Sequence, residues 1–214
     1  MLIVGLTGGI ASGKSTIAKA LVEEPGVAVE DADRVAWETY QPGTDVHQQL
    51  VEHFGERILN ADQTINRRAL GRIVFNDPEE REYLNSVVHP AVRERLVEIA
   101  REHEANGVEV FIVQAAVILE SEPVDRSFYD VYVLVWVDPE EQLRRLMERD
   151  GLDRDTALRK IRSQTSQDVK AERADYVIDS MGSLDATIAQ AREVLRELRS
   201  QTVNEGSRNR GYRT

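Results

Sequence analysis

The chain has 214 residues, 41% hydrophobic and 30% charged, which suits one α/β domain with a sizeable core rather than a fibrous or disordered chain. It contains no cysteine, so disulfides, thiolate zinc sites and cysteine nucleophiles are excluded, and its four histidines (His47, His53, His89, His103) do not fall at metal-ligand spacing. A formal net charge of −11 argues against general nucleic-acid binding, and no apolar run approaches a membrane span or follows a basic leader, so the expected location is the cytoplasm.

Residues 2–6 read LIVGL, an apolar run that suits a buried strand of a parallel sheet, and TGGIASGKST follows directly. Gly8, Gly13, Lys14 and Ser15 stand at the GxxxxGK[ST] spacing of a phosphate-binding loop, with Gly9, Ile10, Ala11 and Ser12 between them and Thr16 after. Ile17, Ala20 and Leu21 then recur at helical spacing, which completes the strand, loop, helix order the pattern needs. The glycines let successive N–H groups point into one concavity, and a helix starting near Lys14 turns the positive end of its dipole there. Lys14 is placed to reach the β- and γ-phosphates, and the Ser15 hydroxyl to ligate Mg²⁺. Residues 8–16 are therefore expected to bind a nucleoside triphosphate.

Pro25-Gly26 makes a turn, and Val27 and Val29 alternate in a short strand that runs into Asp31 and Asp33. Carboxylates just past the C-terminal end of a strand lie where open α/β sheets place their sites. One of the pair is suited to accept the proton of an attacking hydroxyl, the other to help hold Mg²⁺ or its waters. Asp33 also precedes a helical stretch, where Asp is a good N-cap, so a capping role stands level with a catalytic one.

From residue 40 to 107 the pattern is helical without an obvious strand. Val46, Leu50, Val51, Phe54 and Ile58 mark one amphipathic face. A second helix starts around Arg67 and Arg68, and a third is expected to begin at His89-Pro90, proline being favoured in a first turn, and to stop at Gly107. This block reads as a substrate-binding insertion, although an isolated Arg67-Arg68 pair also suits a solvated helix face. Residues 108–119 form a third strand that ends near Glu120 without the Asp that often closes such a strand beside a phosphate loop. Residues 130–137 form a fourth, followed by a helix bearing Arg144, Arg145 and Arg149 and a further helical stretch to Gln164. Arginines here suit a lid over a transferring phosphoryl group, or surface pairing with Glu140, Glu141 or Glu148. Residues 176–179 make a short fifth strand, a final helix runs from about Ser183 to Arg199, and the tail 201–214 is expected to be disordered.

Five strands alternating with helices around a phosphate loop predict an α/β fold with a doubly wound five-stranded parallel sheet. Its expected core is 1–39, 108–149 and 173–200, with the insertion at 40–107 and a lid at 150–172. No lysine follows an asparagine, so the Asn-Lys-x-Asp loop of a guanine-specific GTPase is missing. TGGIASGKST, DADRVAWE, FGERIL, NRRALGRIVFND, LNSVVHPAV, EEQLRRLMERDGL and ADYVID together resemble, in order and spacing, the dephospho-coenzyme A kinases. The resemblance implies transfer of the ATP γ-phosphate to the ribose 3′-hydroxyl of dephospho-coenzyme A, with Mg²⁺, the last step of coenzyme A synthesis. It makes Asp33 the base, puts Asp31, Arg67, Arg68, His89 and Pro90 at the coenzyme substrate, and places Arg145 and Arg149 in the lid. Two positions depart from the family pattern. Ala116-Val117-Ile118-Leu119-Glu120 stands where Pro-Leu-Leu-x-Glu is usual, and Ser180 stands where Asn is frequent. The expected partners are ATP and dephospho-coenzyme A, with neither nucleic acid nor membrane, in a monomer or small homo-oligomer. Another small-molecule kinase, or a nucleotide-gated binding module, is the alternative.

Overall fold

The computed structural model describes residues 1–120 and 124–204. In chain order its elements are β1 (Leu2–Thr7), α1 (Lys14–Leu21), β2 (Val27–Asp31), α2 (Ala32–Thr39), α3 (Asp45–Phe54), α4 (Arg67–Asn76) and α5 (Pro78–Ala105). There follow β3 (Val110–Gln114), β4 (Val131–Trp136), α6 (Pro139–Asp150), α7 (Arg154–Arg162), α8 (Gln167–Arg173), β5 (Tyr176–Asp179) and α9 (Leu184–Asn204). The chain divides into two compact units, one of Met1–Glu30 with His103 onward, the other Asp31–Glu102.

The first unit is built on the parallel sheet, in the order β2-β3-β1-β4-β5. Leu2 pairs with Val110, Val4 with Val131 and Val133 with Tyr176, so β1 lies at the centre. All six residues of β1 are buried, as expected for a strand covered on both faces. Because side chains alternate across a strand, Val4 and Leu6, Val110 and Ile112, and Val133 and Val135 share one face. There they pack with Ile17 and Leu21 of α1 and Leu195 of α9. Each such burial contributes about 1.5–3 kcal/mol.

The strand at 108–119 is shorter than the sequence predicts. The β1 pairing runs out at Gln114, opposite Leu6, and residues 116–119 turn away. The apolar pattern outlasts the ladder because Ala115 and Leu119 are buried in the turn. The final helix is longer than expected and reaches Asn204, while the rest of the expected tail lies outside the described residues.

The second unit has its own core, in which Leu50, Phe54, Ile58, Ile65, Leu70 and Val88 are buried. Thr44 caps α3 by accepting the His47 N–H at 3.1 Å, and Asn66 caps α4 by accepting that of Ala69 at 3.0 Å. The third helix begins twelve residues before Pro90, at Pro78. Asp77 caps it, accepting the N–H of Glu79 at 3.0 Å and of Glu80 at 3.3 Å. Pro78 is thus the first-turn proline, whereas Pro90 lies inside the 28-residue α5. An internal proline removes the N–H that would bond four residues back. Here that carbonyl belongs to Ser86, and Ser86 and Pro90 are both exposed, so water can supply the missing donor.

Candidate active site

In the first unit the chain leaves β1 at Thr7 and enters α1 at Lys14. Gly13 caps α1 at a φ of 92°, in the left-handed region, with no side-chain cap and no acidic residue in the first turn. The loop closes on itself through Ser12 N–H to the Gly9 carbonyl at 3.1 Å and Thr16 N–H to the Gly13 carbonyl at 2.9 Å. Gly8 admits no side chain: a Cβ would stand 2.4 Å from Ser12 Oγ and 2.8 Å from the main-chain oxygen of Val135. Lys14 is half-buried, Ser15 and Thr16 are exposed, and Ser12 is buried. An uncapped helix N-terminus carrying Lys and two exposed hydroxyls is suited to a polyphosphate.

Ala11 has a φ of 62°, a conformation that costs an L-residue about 1–2 kcal/mol. The residues before it are held from outside the loop. Ile10 N–H donates to Gln164 Oε1 at 2.9 Å, Gln142 Nε2 donates to the Ile10 carbonyl at 2.8 Å, and Gly9 N–H reaches Gln167 Oε1 at 3.4 Å. A second bracing set surrounds the turn after β3. Lys170, fully buried, donates to the Ala116 carbonyl at 2.8 Å and to Glu120 Oε1 at 2.7 Å. Thr7 Oγ1 donates to the same Ala116 carbonyl at 3.2 Å, Arg173 to the Leu119 carbonyl at 2.8 Å, and Thr165 N–H to Glu120 Oε1 at 3.3 Å.

The arginines of α6 divide. Arg144 takes the surface role, donating to Glu141 and Glu148. Arg145 Nε donates to Glu141 Oε1 at 2.7 Å, and its two terminal nitrogens reach Ser180 Oγ at 3.2 Å and the Ser180 carbonyl at 2.7 Å. Arg149 is engaged by Asp150 at 2.8 Å. The hydrogen bonds of Arg144, and then of Arg145, hold the Glu141 carboxyl at a pKa of about 2. Its charge on this helix therefore persists through the whole range above that pH, and the ion pairs weaken only as the pH falls toward it.

In the second unit the capping role belongs to Asp31, not to Asp33. Asp31 Oδ1 accepts the N–H of Asp33 at 2.9 Å and of Arg34 at 3.4 Å, because α2 starts at Ala32. Asp31→Ala should therefore lower the unfolding free energy by about 1 kcal/mol in urea denaturation, and no change would show that the cap carries nothing. Asp33, in the first turn of α2, is exposed. Burial pushes the Tyr40 phenol above its ordinary pKa, the hydrogen-bonded Arg67 pulls against that, and the charge of Asp33 adds to it. Asp33, Tyr40 and Arg67 are thus gathered in one electrostatic neighbourhood. Arg68 is exposed beside Arg67 in the first turn of α4. His89 and Pro90 lie at mid-α5; both keep exposed surface, yet the protein around the His89 imidazole desolvates it enough to lower its pKa.

Tyr40, Gln142, Gln164, Gln167 and Lys170 are absent from the sequence-derived candidates. The amide pair at 164 and 167, flanked by Ser and Thr, and a lysine in a chain with only four were the available signals.

A central β1 that feeds a GxxxxGKS loop and helix, in a sheet ordered 2-3-1-4-5, defines a P-loop kinase. The family model for dephospho-CoA kinase matches residues 2–186. A dephospho-CoA kinase of Halalkalibacterium halodurans is 43% identical over 197 residues, covering 91% of this chain and 96% of that protein. The crystal structure of TT1252 from Thermus thermophilus superposes with a TM-score of 0.75 at 34% identity, covering 92% of this chain and 97% of that one. Dephospho-CoA kinase from Campylobacter jejuni shares the fold with a TM-score of 0.66 at 24% identity, covering 94% and 98%. The chain belongs to the dephospho-CoA kinase family. Among its described residues no helix is long and apolar enough to cross a membrane.

Proposed function

We propose that the protein transfers the γ-phosphoryl group of ATP to the ribose 3′-hydroxyl of dephospho-CoA, giving CoA and ADP in the cytoplasm. The observation that carries this reading is the family match, which spans the loop, the helical unit and α6 to β5 alike. The N–H groups of residues 8–16 and the N-terminus of α1 hold the phosphates, and Lys14 neutralises charge on the bridging and γ-oxygens. Asp33 orients the 3′-hydroxyl and takes its proton as the new O–P bond forms and the bond to the β–γ bridging oxygen breaks. Arg67, Arg68 and Asp31 serve the coenzyme substrate with His89 and Pro90, while Arg145 and Arg149, with the lid 150–172, stabilise charge on the transferring group.

The donor set suits Mg²⁺. The exposed Ser15 hydroxyl offers one hard oxygen ligand, and a magnesium ion ordinarily completes its shell with phosphate oxygens and water. Bound there, the metal would supply charge neutralisation at the β- and γ-phosphates.

ADP release from Mg·ATP should be stimulated strongly by dephospho-CoA and not by adenosine, AMP or buffer, with CoA as the product. Equal stimulation by another acceptor would make this a kinase of different substrate, and slow acceptor-independent hydrolysis would make it a nucleotide-gated module.

A further inference from the structure

The phosphate loop is held at its start by side chains that arrive from distant parts of the first unit. Gln142 stands on α6, Gln164 in the connection between α7 and α8, and Gln167 opens α8. Between them they fix the peptide planes on both sides of Ile10, through its N–H and its carbonyl. The next residue is Ala11, one of two non-glycine residues with positive φ among the described residues. Strained backbone of this kind persists where its surroundings over-determine it. Gln142 is 3% exposed, and its Nε2 stands 2.5 Å from where a Cβ on Gly9 would lie. The contact is therefore close as well as polar.

We propose that Gln164 and Gln142 are positioning residues for nucleotide binding. By locking the Ile10 peptides they keep Ala11 in its left-handed conformation, and so keep the N–H groups that follow turned toward the phosphates. Gln164 makes that conformation depend on how the α7–α8 connection is seated. The inference rests on residues 8–16 being the nucleotide site.

Gln164 is half-buried, so its replacement should spare the core. Gln164→Met keeps the length of the side chain and removes the acceptor for Ile10 N–H; Gln164→Ala serves if the first variant fails to fold. Calorimetric titration with Mg·ATP should show a dissociation constant raised about tenfold, equivalent to about 1.4 kcal/mol. KM for ATP should rise in step, with KM for dephospho-CoA within twofold of the parent. Adding Ala11→Gly should recover most of the lost affinity, because glycine takes positive φ without strain. Unchanged ATP affinity in a folded variant would overturn the proposal. So would equal weakening toward both substrates, or no recovery with Ala11→Gly, since either marks a merely structural loss. A parent protein that does not bind Mg·ATP would remove the nucleotide site itself and the proposal with it.

Discussion

Replacing Lys14 with alanine is expected to lower kcat by about 10²–10³-fold, the scale seen when one preorganised donor to developing charge is removed. The residue is the first of α1 and only half-buried, and alanine is the best helix former, so the fold should survive the change. The chemistry should not. The N–H groups of the loop are fixed dipoles and the helix N-terminus supplies only a partial charge, so Lys14 is the full positive charge the loop itself carries. Steady-state turnover with saturating Mg·ATP, set beside the thermal midpoint, separates the two effects. A variant retaining more than a tenth of parent turnover would show that positive charge reaches the phosphates from elsewhere.

Asp33→Asn is expected to reduce kcat by about 10²–10⁴-fold, the usual contribution of a positioned proton acceptor. ATP affinity should stay within a few-fold. The substitution is isosteric and the side chain exposed, and the capping of α2 belongs to Asp31, so the cap survives; the favourable charge lost near the helix N-terminus costs about 0.3–1 kcal/mol. That separation gives the experiment its power. Had Asp33 been the cap, loss of turnover and loss of structure would be entangled. Wild-type turnover in Asp33→Asn would remove the base from the mechanism and leave the residue a contributor to the Tyr40 and Arg67 neighbourhood alone.

What could be read in the sequence was what is encoded over short range. The loop, its strand and its helix occupy twenty consecutive residues, so spacing and periodicity were enough to place them. The parallel sheet followed because β1, β3 and β4 are apolar but for Thr7 and Gln114 at their C-terminal ends, as suits buried strands. Boundaries failed where tertiary contacts overrode local rules. Pro90 carries the same first-turn signal as Pro78, and only the Asp77 cap, with an exposed turn at Ser86, tells them apart. The residues 115–119 look like strand because burial, not pairing, keeps them apolar. The glutamines were out of reach for a different reason. They meet Gly9 and Ile10 across 132 to 158 residues of sequence, and an amide side chain has no periodicity to announce it. Asp31 and Asp33 were legible as a pair, but the division of labour between them depended on the residue at which α2 begins.

The turn after β3 shows how a departure from a family pattern can be silent. The bonds that seat it arrive at the main-chain oxygens of Ala116 and Leu119, which every amino acid offers, proline included. Side chains at 116 to 118 can therefore drift over generations without loosening the polar bracing from α8. Glu120 is different: Lys170 and the Thr165 N–H meet its carboxylate. It is also the one residue of these five at which the chain keeps the family's Pro-Leu-Leu-x-Glu pattern. The side chain makes the bond at Glu120, and the main chain suffices at Ala116 and Leu119.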